Sequence, residues 1–139
     1  MAQPKTALLL IDVQASFPAR DYWVESLAQT WRPKQRAVLN AAQANDLPVV
    51  RILHEEPGSQ GAFDPDGGLI RPLDDFNDEV AVTFQKRAHN AFSDTSLESW
   101  LREQGIERLA ISGIRTEQCC ETTARVASDL GFSVDFISD

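Results

Sequence analysis

The chain has 139 residues, 42% of them hydrophobic and 24% charged. That suits one compact domain, burying about two thirds of its unfolded surface without metal or disulfide staples, and excludes both disorder and a second domain. With 13 basic against 21 acidic residues the formal net charge is -8, which excludes nucleic acid and anionic membrane surfaces, since both need a basic patch.

Ala7 to Ile11 (ALLLI) is a continuous apolar run ending on Asp12, the pattern of a strand covered on both faces in a parallel sheet. Val24 to Asn45 is helix-rich. Because Pro33 lacks an N–H donor and suits a first turn, the main helix is expected over 33–45, closed by Asn45-Asp46. Pro48 to Leu53 reads as the second strand and Val80 to Phe84 as the third. Between them, Glu55 to Glu79 carries eight acids against Arg71 alone, and four of the seven glycines. A loop so long in a compact domain is functional or mobile. Thr95-Ser96-Leu97-Glu98 fits the S/T-x-x-E capping box and predicts a helix through Glu103 that Gly105 ends. Arg108 to Ser112 is the fourth strand. Glu117 to Leu130 repeats small or apolar residues at helical spacing (Cys120, Thr123, Ala124, Ala127, Leu130) before Gly131, and Ser133 to Ile137 is the fifth strand. Strands alternating with helices predict a three-layer α/β/α domain with a parallel sheet and right-handed crossovers.

Such sheets bind ligands beyond the carboxyl ends of their strands, and three reactive side chains fall there. Asp12 follows strand one, Lys86 follows strand three by two residues, and Cys119 lies after strand four in the first turn of the next helix. Each has a plainer reading: a turn or cap for Asp12, a solvated pair for Lys86-Arg87, an inert core thiol for a cysteine on an apolar helix. Cys119 differs because a helix start stabilises a thiolate. A carboxylate in reach supplies the base, a lysine keeps that carboxylate ionised, and the Gly113-Ile114-Arg115-Thr116 turn is placed to offer backbone N–H groups to a developing oxyanion. The only two cysteines are adjacent, at 119 and 120, so neither a disulfide framework nor a zinc knuckle is possible.

Leu9-Leu10-Ile11-Asp12-Val13-Gln14 with Phe17, Lys86 followed by Asn90-Ala91-Phe92 and Thr95-Ser96-Leu97, and Gly113 to Cys119 with Thr123 together resemble the isochorismatase-like cysteine hydrolases, from Thr6 to Asp139. The resemblance implies a sheet of order 3-2-1-4-5 within a single domain over 1–139, and a catalytic Asp12, Lys86 and Cys119. It also implies an oxyanion hole at Ile114, Arg115 and Cys119 built on a non-proline cis bond between Ile114 and Arg115, and a substrate pocket touching Gln14, Phe17 and Arg115. Cys120 stands where the family has an apolar residue and is expected in the core.

Nicotinamidases of that family hold a metal through an Asp and paired histidines after strand two. Here only His54 and His89 occur and the Asp-x-His pattern is absent. His54, beside Glu55 and Glu56, reads as a surface hydrogen-bonding group and His89 as structural, so neither metal nor cofactor is expected. The reading is a cysteine hydrolase that cleaves the C–N bond of a small amide, ureide or carbamoyl compound. Two alternatives stand beside it: a catalytically silent family member, and a redox pair of adjacent thiols, which lacks C-x-x-C spacing. Without a signal layout at Met1 to Lys5 or an 18-residue apolar run, a cytoplasmic address is expected. Family members continue past the position of Asp139 into a sixth strand and a closing helix. The fifth strand is therefore expected to be an edge that a missing tail or a partner subunit covers, with a homo-oligomer, dimer or larger, as the assembly.

Overall fold

The apolar run near the start of the chain becomes the central strand of a five-stranded parallel sheet. The computed structural model describes residues 5–14, 25–61, 63–72, 78–87, 91–92, 95–113 and 120–136. In it, β1 (Lys5–Ile11) lies between β2 (Val49–His54) and β4 (Ile106–Gly113), while β3 (Val82–Lys86) and β5 (Ser133–Phe136) form the edges. The order is 3-2-1-4-5 and every pairing is parallel, as the resemblance implies. Three helices, α1 (Glu25–Ala44), α2 (Leu97–Glu103) and α3 (Glu121–Asp129), flank the sheet.

Ala7, Leu9 and Ile11 join Val50, Ile52, Leu109, Ile111 and Cys120 in one core cluster. Leu8 and Leu10 join Val49, Leu39 and Ala42 in a second. Because β1 is buried on both faces, its sequence shows no alternation. Each leucine or isoleucine fully withdrawn from water contributes about 1.5–3 kcal/mol.

Two boundaries depart from the sequence expectation in ways that matter. Helix α1 begins at Glu25 and encloses Pro33, whereas Pro33 was expected in a first turn. The proline removes one backbone bond, a cost of about 3 kcal/mol in a helix interior, and the burial of Leu39 and Ala42 against β1 helps to offset it. Strand β3 starts two residues later than expected, so Lys86 is its last residue rather than lying beyond it. The register decides this: Val50 pairs with Val82, Ile52 with Phe84 and His54 with Lys86.

The capping box does not form as written. Ser96, not Thr95, is the N-cap of α2 and makes no side-chain cap bond. Thr95 Oγ1 instead accepts from Leu97 N at 3.2 Å and donates to Ala91 O at 2.7 Å. Part of the acidic loop is ordered by its own acids. Asp64 accepts from Gln60 N and Asp66 N, which holds its carboxyl below the usual range and caps a 3-10 turn over Pro65–Gly67. Asp78 takes both terminal nitrogens of Arg36 at 2.9 and 2.7 Å, tying α1 to the approach to β3, and that guanidinium lowers its pKa to about 2.

Gly113 closes β4 opposite Ile11 with φ 154°, and a Cβ there would stand 2.0 Å from Ile11 O. An alanine at this position must push the central pair of strands apart. Gly113→Ala should therefore cost about 3 kcal/mol, lowering Tm by roughly 10 °C; a thermal scan within 2 °C of wild type would refute it.

Candidate active site

The carboxyl ends of β1, β2 and β3 are held in step by the pairs Ile11 with Ile52 and His54 with Lys86. Asp12, just past β1, takes a left-handed φ of 61°, a conformation that aspartate tolerates better than most residues. Its N–H donates to Ile52 O at 2.8 Å. Continued alternation would have sent residue 12 to the side of Leu8 and Leu10; the left-handed turn breaks that alternation, and the carboxylate meets Lys86.

Lys86 Nζ donates to Asp12 Oδ2 at 3.4 Å and stands 3.2 Å from Oδ1. The pair is withdrawn from water, with the two side chains 0% and 1% exposed. Oδ1 has no hydrogen-bond donor among the described residues, because the ammonium beside it lies off the bonding direction. It thus keeps an acceptor position, as a general base needs.

His54 is the residue that sequence reasoning missed. Its ring does bond Glu56, Nε2 to Oε1 at 3.2 Å, but it is only 12% exposed and its Nδ1 lies 3.2 Å from Lys86 Nζ. Burial first, then the neighbouring Lys86 charge, push its pKa below the usual histidine value, with Asp12 and Glu56 opposing. The expectation of a surface group is therefore corrected. The available signal was the strand length, since extending β2 by one residue makes His54 the partner of Lys86. Gln14, assigned to the substrate pocket by resemblance, is fully buried and its amide is engaged by the His54 backbone. Nε2 donates to His54 O at 2.9 Å, and Oε1 accepts from His54 N at 2.7 Å.

Helix α3 is tied to the chain that follows β3. Thr123 Oγ1 accepts from Ala91 N at 2.9 Å, and both residues are fully buried. Thr123→Val should leave that N–H without its acceptor and cost about 1–3 kcal/mol, while Thr123→Ser keeps it; urea midpoints of the two variants that coincide would contradict this. Cys120, immediately before α3, is 1% exposed within the first core cluster, as expected. Cys119, Ile114, Arg115, the bond between Ile114 and Arg115, Phe17 and His89 lie outside the described residues.

The family model for the isochorismatase domain matches residues 6–139. The chain belongs to the isochorismatase family. It is 28% identical to the isochorismatase family protein YrdC of Bacillus subtilis, across 99% of this chain and 73% of that protein. It is 36% identical to a nicotinamidase of Escherichia coli, across 98% of this chain and 82% of that protein. An isochorismatase hydrolase of Oleispira antarctica superposes with a TM-score of 0.82 at 27% identity, covering 98% of this chain and 74% of the other.

In this isochorismatase-family hydrolase the described residues do not fit a metal of the nicotinamidase kind. His54 Nδ1 faces the Lys86 ammonium and Nε2 faces Glu56, so a cation would have to displace an existing bond. Among the described residues no group of three or more His, Cys, Asp or Glu is arranged to hold one. No described helix is long and apolar enough to cross a membrane.

Proposed function

We propose that this hydrolase is a cysteine amidohydrolase that cleaves the C–N bond of a small amide, ureide or carbamoyl compound through a thioester on Cys119. The observation that carries the reading is the buried Asp12–Lys86 pair at the carboxyl ends of the strands. Gly113, paired with Ile11 next to Asp12, begins the segment that contains Cys119. The name of the Escherichia coli relative, a nicotinamidase, agrees with amide chemistry.

Asp12 takes the proton of the Cys119 thiol. The thiolate attacks the carbonyl carbon, and backbone N–H groups at 115 and 119 hold the oxyanion, each contributing roughly 3–4 kcal/mol. The C–N bond breaks, ammonia or an amine leaves with the proton from Asp12, and the acyl group remains on sulfur. Asp12 then removes a proton from water, which attacks the thioester and regenerates the thiol. Lys86, in contact with Asp12, offsets the negative charge carried by the carboxylate and by the developing oxyanion. Phe17 and Arg115 complete the pocket in this reading, and a thiolate nucleophile fits a reducing cytoplasm. As β5 is a sheet edge, a further segment or a second subunit over it belongs to the same proposal.

Ammonia or amine release from a panel of small amides, ureides and carbamoyl compounds tests it. Turnover by the wild type that is lost in Cys119→Ser supports the assignment. Hydrolysis that survives in Cys119→Ser would remove the protein from the cysteine hydrolases.

A further inference from the structure

We propose that His54 is a positioning residue: its Nδ1 holds the Lys86 ammonium against Asp12, and protonation of the ring releases that hold. The inference rests on the reading of Asp12 and Lys86 as catalytic partners of Cys119. A lysine has a long flexible stem and three rotatable donors, and Lys86 reaches Asp12 Oδ2 only at 3.4 Å. A second acceptor at 3.2 Å, His54 Nδ1, fixes the direction of the ammonium and keeps the nearby carboxylate oriented.

For Nδ1 to accept, the ring proton must sit on Nε2, and Glu56 Oε1 lies 3.2 Å from Nε2 to receive it. The ring is further fixed by the buried Phe63, which meets it edge-on with centroids 5.4 Å apart. Gln14 clamps the His54 backbone through both N–H and C=O. Glu56 is held in turn, its N–H donating to Phe63 O at 2.7 Å. Glu56, Phe63 and Gln14 thus orient one imidazole that, among the described residues, meets Lys86 in return.

The charged groups facing His54 among the described residues are Lys86 from β3, Asp12 from the end of β1 and Glu56 from the loop after β2. Near neutral pH the ring is uncharged, in keeping with the lowered pKa. On acidification it gains a proton, Nδ1–H then opposes the ammonium, and the alignment of Lys86 with Asp12 is lost. The linkage has a definite sign. The histidine pKa is lower folded than unfolded, so its share of stability is full above the unfolded value and is lost as pH falls through the folded one.

The test combines ring titration by nitrogen NMR with the pH dependence of iodoacetamide alkylation at Cys119, in wild type, His54→Leu, His54→Asn and Lys86→Met. In the wild type the neutral ring should carry its proton on Nε2, and Lys86→Met should raise the His54 pKa, since the coupling is reciprocal. His54→Leu should slow alkylation near pH 6 about tenfold, equivalent to one unit in the thiol pKa. His54→Asn, whose amide oxygen replaces Nδ1 without titrating, should restore most of the rate. A proton on Nδ1, a His54 titration indifferent to Lys86→Met, or a His54→Leu profile that overlays the wild type while Lys86→Met shifts it, would overturn the inference alone. A Cys119 profile unmoved by Lys86→Met would overturn the catalytic reading beneath it.

Discussion

Lys86→Met should be damaging to both fold and chemistry. Removing the ammonium leaves the Asp12 carboxylate, 1% exposed, without its counter-charge. Breaking a buried ion pair from one side typically costs about 3–5 kcal/mol. Without the ammonium, Asp12 loses the group that orients its carboxylate for proton transfer, so kcat should fall by roughly 10²–10⁴. Asp12→Asn should show the same loss of turnover, since Lys86 then faces a neutral amide in place of its counter-charge. The double variant Asp12→Asn/Lys86→Met separates the two effects. It removes both charges, so its stability should recover to within about 1–2 kcal/mol of wild type, while its activity should not recover at all. Urea unfolding of the three variants gives the first quantity and initial rates on an identified amide the second. Additive destabilisation in the double variant would show that the two groups do not act as a pair.

The sheet was legible because its strands are apolar runs separated by turn and cap signals, and because a parallel sheet between helix layers needs continuous apolar strands. Where the expectation slipped, a long-range contact outweighed a local preference. Pro33 sits inside α1 although proline favours a first turn, with Leu39 and Ala42 of the same helix packed on the sheet. Lys86 belongs to β3 because pairing with β2 runs on to His54, which no local pattern around Lys86 could reveal. The same register explains why Asp12 and Lys86 stand out in the motifs as candidate site residues while His54 does not. A histidine followed by two acids has the local composition of a solvated loop, and its meeting with Lys86 comes from strand pairing across 32 positions of sequence. Thr95 reads as a capping residue, but its hydroxyl serves Ala91 and Leu97 instead of closing a capping box.

Cys119→Ser should have the largest effect on turnover of any single substitution. Serine is nearly isosteric with cysteine but far less acidic, so Asp12 cannot generate a comparable nucleophile from it, and kcat should drop by roughly 10³ or more with little change in stability. The adjacent thiol provides an internal control. Cys120 is 1% exposed in the core cluster that includes Ala7, Leu9, Ile11, Leu109 and Ile111, away from solvent and reagent. Cys120→Ala should therefore lower stability by about 1 kcal/mol through lost packing and leave the rate of hydrolysis close to wild type.

The central claim, that Asp12 and Lys86 activate Cys119, is tested most directly by brief iodoacetamide treatment at mildly acidic pH followed by mass mapping of the two adjacent thiols. An unperturbed thiol, with a pKa of about 8.5, reacts slowly under such conditions. The account predicts that Cys119 is alkylated rapidly there, that Cys120 stays unmodified in the folded protein, and that Lys86→Met slows the labelling of Cys119. Equal labelling of the two thiols, or labelling that favours Cys120, would contradict it.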